Sequence, residues 1–354
     1  MLQKTLGTLV RQISLIEVGN VEIIVGDNCS SDGTEEVGRR YSDECSYVKY
    51  MRHDSNIGPE RNYLTVIQHA VGDFIWLLSD DDYILDGAIN KLLQVISRQQ
   101  DISFIFMNYV LWSDPLQALL GPSRCIATND CVAASADEFY LLVRCANSFI
   151  GSCVYRRTKW IDAAPALHAG NHWAQLYIAN AIVQRGKSFI IADPLLKMRC
   201  LSPLASRTEK KKQGNDHYYM DAYLDFVRFA DELSGQLVNP AARRLACDLA
   251  LQDKGFQIVI YKYVADKYRI AYLASIFCSL FSVACFRKSI SFWLRDVPVL
   301  FSPKIISICI YEWWQMKKEI STWGQADRKH KRMIYGLYEI IRLSKRCLMK
   351  RCTS

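Results

Sequence analysis

The sequence predicts an α/β fold with a wound, mostly parallel sheet, and three observations lead to that prediction. Strand-like and helix-like patterns alternate through residues 1–110, as they do in βαβ units. The strands are short, continuous apolar runs, as expected where helices cover both faces of a sheet. Hydrophobic residues make up 50% of the 354 residues and only 26 residues are Gly or Pro, which excludes a disordered or collagen-like chain.

The elements follow one another at regular spacing. An apolar stripe of helical period covers residues 2–16. Pro59 suits the first position of a helix, and Asp86 can cap the next one. The predicted strands are 21–25, 47–51, 74–78, 104–109, 149–155 and 188–191, and the predicted helices are 34–41, 59–70, 87–97 and 174–184, with mostly helix from residue 218 onwards.

Charge divides the chain into two parts. Residues 241–354 carry 21 Lys or Arg against 8 Asp or Glu, whereas residues 1–240 carry 23 against 28. We therefore predict a ligand-binding domain at 1–215 and a helical, basic, membrane-associating region at 216–354. No nucleic-acid-binding module is recognisable, so nucleic acid is not an expected partner. The 13 cysteines include no Cys-x-x-Cys pair and indicate reduced thiols in a cytoplasmic protein.

The two acidic loops, after Asp27 and at residues 80–82, fall beyond the carboxyl ends of predicted strands, where wound sheets bind ligands. Asp27 precedes a Ser- and Gly-rich loop; its carboxylate can accept hydrogen bonds from a nucleobase or ribose, or it can satisfy the backbone of its own turn. Residues 56–62 (NIGPERN) begin a helix whose free N–H groups favour an anion beside Arg61. An ordinary capped helix with a surface arginine is the alternative for that segment.

A third polar segment, Asp80-Asp81-Asp82, follows an apolar strand. Three adjacent carboxylates repel one another, so they need a cation or full hydration. Oxygen-only ligation favours Mg²⁺ or Mn²⁺, held by one or two carboxylates together with substrate phosphates. A solvated acidic turn is the alternative.

In order and spacing, the three segments resemble family 2 glycosyltransferases of the GT-A fold. The matching pieces are residues 22–34 (EIIVGDNCSSDGT), 56–62 and 72–82 (GDFIWLLSDDD). The resemblance implies a nucleotide-sugar donor, and it implies the following positions for the site residues. Asp27 would contact the nucleotide base, Asn56, Gly58 and Arg61 would lie beside the nucleotide, Asp80 or Asp81 would face the ribose, and Asp82, with Asp80, would hold the metal.

The same resemblance implies an inverting transfer, in which a base deprotonates the acceptor hydroxyl. At the position where the family offers an acidic residue, this chain has residues 170–173 (GNHW), so His172 is the candidate base, with Asp162 as the nearby carboxylate. A structural histidine beside a tryptophan is the alternative. The acidic triplet with the His-Trp pair is similar to abequosyltransferase-like enzymes of O-antigen synthesis, which use nucleotide-linked deoxysugars.

The family's opening strand and its Pro-x-Tyr-Asn-type segment have no counterpart, since this chain starts in the helix that would follow them. Either the start codon is misassigned, or the chain is a truncated, inactive glycosyltransferase remnant that acts as a membrane-associated or partner-binding protein. The retained segments favour the first interpretation.

The basic region predicts a peripheral position on the cytoplasmic face of the inner membrane. Residues 270–286 carry no charge, and Arg287 and Lys288 follow at once. Further basic residues and four tryptophans follow, namely Lys304, Lys317, Lys318, Arg328, Lys329, Lys331, Arg332, Trp293, Trp313, Trp314 and Trp323. Such a surface suits a polyprenyl-diphosphate-linked glycan acceptor. A packed helical subdomain is the alternative.

Two other enzyme classes fit less well. A dinucleotide-dependent enzyme would carry Gly-x-Gly-x-x-Gly after its first strand, and this chain does not. A phosphotransferase built on Asp80 and Asp82 finds little support in the Ser-Asp-Asp-Asp context.

Overall fold

The computed structural model describes residues 1–16, 21–113, 117–120, 123, 125–163, 171–200, 217–251, 270–287, 292–302 and 310. The chain forms two compact units: residues 1–202 with 225–250, and residues 203–224 with 251–354. This division differs from the predicted boundary at 215–216. Residues 225–250 join the first unit because Phe229, Leu233 and Ala242 are buried in its core.

The predicted elements are present, most of them within a few residues of their expected bounds. The strands are β1 (Ile23–Asp27), β2 (Val48–Arg52), β3 (Phe74–Trp76), β4 (Tyr83–Ile84), β5 (Ile102–Ser113), β6 (Ala118–Leu119), β7 (Cys131–Ala133), β8 (Cys153–Arg156) and β9 (Lys187–Arg199). The helices of the first unit are α1 (Leu2–Ile13), α2 (Thr34–Glu44), α3 (Pro59–Gln68), α4 (Ala88–Arg98), α5 (Ala136–Val143), α6 (Arg157–Ala163) and α7 (Ala174–Val183), followed by α8 (Tyr218–Gln236), which starts in the second unit, and α9 (Pro240–Leu251).

The α/β class is confirmed, but the sheet is mixed rather than mostly parallel. The strands β1 and β2 form a parallel pair, and the larger sheet has the order β3-β8-β5-β9-β4. There β5 and β9 pair in parallel, whereas β8 lies antiparallel between β3 and β5, and β4 pairs antiparallel with β9. The βαβ alternation predicts the common direction of β3 and β5; it cannot show that a later strand enters between them.

The core of the first unit is centred on β5. Its residues from Ile102 to Met107 are almost fully buried, because the strand has paired neighbours on both edges and helices packed against it. Phe104 lies edge-on to Phe139 of α5 and to Tyr155 of β8, with ring centroids 5.5 and 5.2 Å apart. Such edge-to-face contacts suit densely packed aromatic cores.

The second unit is described only in part. Its helices are α10 (Ile270–Ser282), the single turn α11 (Ala284–Arg287) and α12 (Val297–Phe301), with a π-helical turn at Phe292–Asp296 before α12. Among the described residues, no helix combines the length and the apolar character needed to cross a bilayer. The predicted membrane-facing residues Lys288, Lys304, Trp313, Trp314 and Trp323, and the basic residues from Lys317 to Arg332, lie outside the described residues.

The close packing of α3 on β1 depends on Gly26. A Cβ atom at this position would lie 2.3 Å from Cγ2 of Val66 and 2.9 Å from Oδ1 of Asn62, both on α3. The Asn62 amide also donates a 2.9 Å hydrogen bond to the Gly26 carbonyl, which ties the helix to the strand. The glycine therefore lets the helix that starts at Pro59 approach the end of β1.

We expect Gly26→Ala to lower the free energy of unfolding by about 1–3 kcal/mol, because α3 must move to admit the methyl group. Urea denaturation measures the change. Gly33→Ala is the matched control, since a Cβ there meets nothing within 4 Å. Val66→Ala added to Gly26→Ala should recover part of the loss; equal stability of Gly26→Ala and Gly33→Ala would contradict the packing argument.

Candidate active site

The Asp27 carboxylate is the centre of the site's first segment. Its side chain is fully buried, and it accepts hydrogen bonds from the Tyr50 hydroxyl at 2.6 Å, Arg52 Nη1 at 2.8 Å and the Ser30 amide at 2.8 Å. Burial opposes ionisation, but these donors outweigh it and hold the pKa of Asp27 below its usual range. Burial and the hydrogen bond to Asp27 raise the pKa of Tyr50 to about 12.

Side chains join the loop after β1 to the start of α3. Asn28 donates to Oδ1 of Asn56 and accepts from the Ile57 amide, each at 2.9 Å. Gly58 has φ +87°, a left-handed conformation that glycine adopts without strain. Arg61 is exposed in the first turn of α3 and forms no ion pair within the described part of the chain. The structure therefore brings Asn28, Asn56 and Gly58 together near Asp27.

The acidic triplet is held by the end of β9. The backbone amide of Arg199 donates to Oδ1 of Asp82, and Nη2 of Arg199 bonds Oδ2 of Asp81, each at 2.9 Å. Ser79 donates to the other oxygen of Asp81. Burial, then the neighbouring charge of Asp81, raises the pKa of Asp80; burial raises the pKa of Asp82 to about 7. The Asp82 carboxylate is thus partly desolvated, which argues against a purely solvated turn.

A cleft of about 270 Å³ opens beside Asp82. Its walls carry basic and aromatic side chains from α1, β4, β5 and β9, namely Lys4, Arg11, Tyr83, Trp112 and Lys197. The Lys4 ammonium lies 4.3 Å from the centroid of the Tyr83 ring, and the Lys197 ammonium lies 4.0 Å from that of Trp112. Positive charge and aromatic faces next to a carboxylate suit a ligand that combines phosphate with polar rings.

A divalent cation fits the chemistry of this turn. The described residues contain no cluster of three or more His, Cys, Asp or Glu side chains able to hold a metal ion. Asp80 and Asp82 nevertheless offer hard oxygen donors whose charge is poorly compensated, as their raised pKa values indicate. Mg²⁺ and Mn²⁺ are commonly held by one or two carboxylates that leave positions for substrate phosphates. These two residues could therefore hold such an ion together with a phosphate-bearing ligand.

The carboxylate partner of His172 is Asp225 rather than Asp162. His172 lies just before α7, and its Nδ1 is 2.7 Å from Oδ2 of Asp225 on α8. Asp162 is 67% exposed, and its carboxylate lies 3.9 Å from the Lys159 ammonium. The structure therefore does not pair Asp162 with His172, although residues 164–170 between them lie outside the described part.

Comparisons with known proteins identify a family domain in the N-terminal third of the chain. Residues 1–114 match the model of glycosyl transferase family 2. The abequosyltransferase RfbV of Salmonella typhimurium is 33% identical over 233 residues, which is 60% of this chain and 66% of that protein. Residues 1–114 thus carry a glycosyltransferase family 2 domain. The match to RfbV spans just under two thirds of the length of that protein.

Other relatives of this chain match over shorter stretches or only in fold. A Campylobacter jejuni protein named GalNAc(5)-diNAcBac-PP-undecaprenol β-1,3-glucosyltransferase is 32% identical over 93 residues, 26% of this chain and 30% of its own length. The crystal structure of Staphylococcus aureus TarS residues 1–349 with UDP-GlcNAc superposes with a TM-score of 0.59, covering 88% of this chain and 89% of that one at 12% identity. That likeness shows the fold, and it confirms the fold expected from the sequence.

The sequence alone did not reveal Tyr50, Arg52, Arg199 or Asp225 as part of the site. Arg52 pairs in register with Asp27 across β1 and β2, so aligning the ends of these two predicted strands could have found it. Arg199 depends on the full length of β9, which extends well beyond the predicted 188–191. Asp225 lies 53 residues from His172, and no spacing in the sequence connects them.

Replacing Asp27 by asparagine should lower the free energy of unfolding by about 2–3 kcal/mol at pH 7, since the charged hydrogen bonds at a buried site are lost. A lowered folded-state pKa contributes stability above the ordinary aspartate pKa, and this contribution disappears as the pH falls through the folded value. Urea denaturation at pH 7 and in acid checks both effects.

The matched control is Asp43→Asn, an exposed change on α2. Its stability should follow the wild type at both pH values. The difference between wild type and Asp27→Asn should shrink in acid. A constant difference across that range would contradict the assignment of the stability to the ionised carboxylate.

Proposed function

We propose that this chain transfers a sugar from a nucleotide-sugar donor to a lipid-linked glycan during bacterial surface polysaccharide synthesis, with inversion at the anomeric carbon. The observation that carries the proposal is the cleft beside Asp82, whose basic and aromatic walls stand next to the partly desolvated Asp82 carboxylate. Two relatives, an abequosyltransferase and a glucosyltransferase named for an undecaprenol-linked glycan, support sugar transfer and a lipid-linked acceptor.

The donor's nucleotide has a place near β1 and α3. Asn56 and Gly58 form the turn that faces the loop after Asp27, and Arg61 adds an exposed positive charge in the first turn of α3. The Asp27 carboxylate is buried and accepts hydrogen bonds from Tyr50, Arg52 and Ser30. Asp27 therefore contributes to nucleotide binding by holding the shape of the loop that the nucleotide would contact. Asp80 or Asp81 would face the ribose.

The chemical step needs little covalent participation by the protein. The acceptor oxygen bonds to the anomeric carbon, and the bond from that carbon to the nucleoside diphosphate breaks, with the electron pair leaving on the diphosphate. A bound Mg²⁺ or Mn²⁺ supplies positive charge that stabilises the departing diphosphate. Asp82 and Asp80 would hold that ion, Lys4 and Lys197 add fixed positive charge at the cleft, and His172 accepts the hydroxyl proton.

Calorimetric titration of UDP, CDP, GDP and dTDP, each with and without Mn²⁺, tests the donor site. We expect one nucleotide to bind in a Mn²⁺-dependent manner. Asp82→Asn should weaken that binding by at least about tenfold, because it removes the charge and leaves the shape of the side chain.

Asp43→Asn, with the same chemical change on the exposed side of α2, should bind as the wild type does. A folded protein that binds none of the four nucleotides in any combination would overturn the transferase proposal. The alternative of an inactive remnant, acting as a membrane-associated or partner-binding protein, would then take its place.

We also propose that the second unit attaches peripherally to the cytoplasmic face of the inner membrane. Phe277, Phe281, Trp293 and Phe301 form a cluster with ring centroids 5.7–6.3 Å apart. Phe281, Trp293 and Phe301 are 40%, 43% and 50% exposed. The Arg287 guanidinium lies 5.8 Å from the Phe281 ring. Aromatic rings beside cations suit the interface of an anionic bilayer.

Vesicle flotation tests this attachment. The protein should float with vesicles of phosphatidylethanolamine and phosphatidylglycerol, and less with phosphatidylcholine alone. Phe281→Ser combined with Trp293→Ser should reduce the bound fraction, whereas Ile161→Ser, at an exposed position in the first unit, should not. Equal flotation of all three proteins would refute a role for the aromatic cluster.

A further inference from the structure

We infer that Asp225 is the positioning residue for His172: it holds the proton on Nδ1 so that Nε2 carries the lone pair that accepts the acceptor's hydroxyl proton. The inference rests on the proposed glycosyl transfer and deepens it, because it names the residue that orients the catalytic base. The juxtaposition that carries it joins His172, just before α7, to Asp225 of α8, and both residues belong to the first unit.

His172 makes two hydrogen bonds to the same carboxylate oxygen of Asp225. Oδ2 of Asp225 lies 2.7 Å from the ring Nδ1 and 3.2 Å from the backbone amide of the same histidine. The two contacts fix both the main-chain position and the rotation of the ring. Oδ1 of Asp225 accepts from Nη1 of Arg228 at 3.0 Å, so the carboxylate is itself held from its other side.

Neighbouring contacts prevent the pair from shifting. The Asn171 side chain accepts a 2.8 Å hydrogen bond from the Trp173 amide, which shapes the turn into α7. The Trp173 ring packs edge-on to Phe226, next to Asp225, with centroids 5.5 Å apart. The side chains of His172 and Asp225 are only 23% and 13% exposed, so water competes weakly for their hydrogen bond.

This arrangement determines the tautomer. An ionised carboxylate can only accept hydrogen bonds, so Nδ1 must be the donor and the neutral ring carries its lone pair on Nε2. During transfer the hydroxyl proton moves to Nε2 as the acceptor oxygen bonds to the anomeric carbon and the diphosphate leaves. The ring then becomes an imidazolium, and the adjacent Asp225 carboxylate stabilises that positive charge without taking the proton.

The position in the fold agrees with this role. Residues 184–186 connect α7 directly to β9, so α7 runs back along the sheet. Its first residues therefore lie towards the carboxyl end of β5, beside which the parallel β9 continues to Arg199 and the acidic triplet. Ligands of wound sheets bind at this edge.

The test is the ring tautomer of His172 in the full chain labelled with ¹⁵N-histidine. Long-range ¹H–¹⁵N correlation spectra distinguish the two tautomers, and His172→Gln identifies the signals by their disappearance. We expect the Nδ1–H form in the wild type and a shift towards the Nε2–H form in Asp225→Ala. Asp231→Ala, which removes a carboxylate further along α8, should leave the His172 signals unchanged. An Nε2–H ring in the wild type overturns the inference without any variant.

A kinetic arm separates positioning from a merely structural role. The probe is release of nucleoside diphosphate from UDP-, CDP-, GDP- and dTDP-linked hexoses with water as acceptor. For the sugar that the wild type cleaves, Asp225→Ala should lower kcat by about ten- to a hundredfold with KM nearly unchanged, and His172→Gln by about a hundredfold or more. Asp231→Ala should match the wild type.

The outcomes distinguish the positioning role of Asp225 from the proposed glycosyl transfer. A change of tautomer without a fall in kcat refutes the catalytic role of Asp225 and leaves the transferase standing. A rise in KM with kcat retained assigns Asp225 to structure alone. Nucleotide binding together with no release from any of the four donors overturns the role of the pair in catalysis, whereas absence of nucleotide binding overturns the proposed function itself.

Discussion

The parallel pairing of β5 with β9 is the constraint on which the rest of the first unit depends. The two strands stay paired from Ile102 and Lys187 to Trp112 and Arg199, with two register shifts along the way. β5 provides the buried apolar centre of the unit. β9 runs from the end of α7 to Arg199, which contacts Asp81 and Asp82 of the acidic triplet. A shift of register would turn the side chains of β9 to the opposite face and remove Arg199 from Asp81 and Asp82.

The carboxylates of Asp27 and of the acidic triplet explain why the site needs a fixed pairing of the strands. Asp27 and the triplet both lie at strand ends, yet their charges are compensated differently. Asp27 is satisfied by Tyr50, Arg52 and Ser30 within the protein, which makes it a stable internal anchor. Asp80 and Asp82 keep raised pKa values despite Arg199, so their charge is only partly balanced. Burial without full compensation is costly for stability and is typical of functional positions.

How much of this structure the sequence predicts depends on how far apart in the chain the interacting residues lie. Local signals worked: the Pro59 helix start, the strand before Asp80 and the loop after Asp27 are set by neighbours within about ten residues. Features that need partners distant in the chain could not be predicted. The antiparallel entry of β8 between β3 and β5, the length of β9 and the pairing of His172 with Asp225 all depend on tertiary packing. The association of residues 225–250 with the first unit has the same origin.

The two halves of helix α8 belong to different units, and this division has a consequence for the site. From Asp225 onwards the helix contributes Phe229 and Leu233 to the core of the first unit, so the side chain that contacts His172 stands on a rigidly packed segment. A carboxylate on a mobile loop could satisfy the histidine but could not fix its ring. Placing Asp225 one turn before buried Phe229 couples the orientation of the histidine to the stability of the core. Substitutions that loosen this packing would therefore disturb the ring before they disturb the loops around Asp27 and Asn56, which Tyr50, Arg52 and Asn28 hold separately.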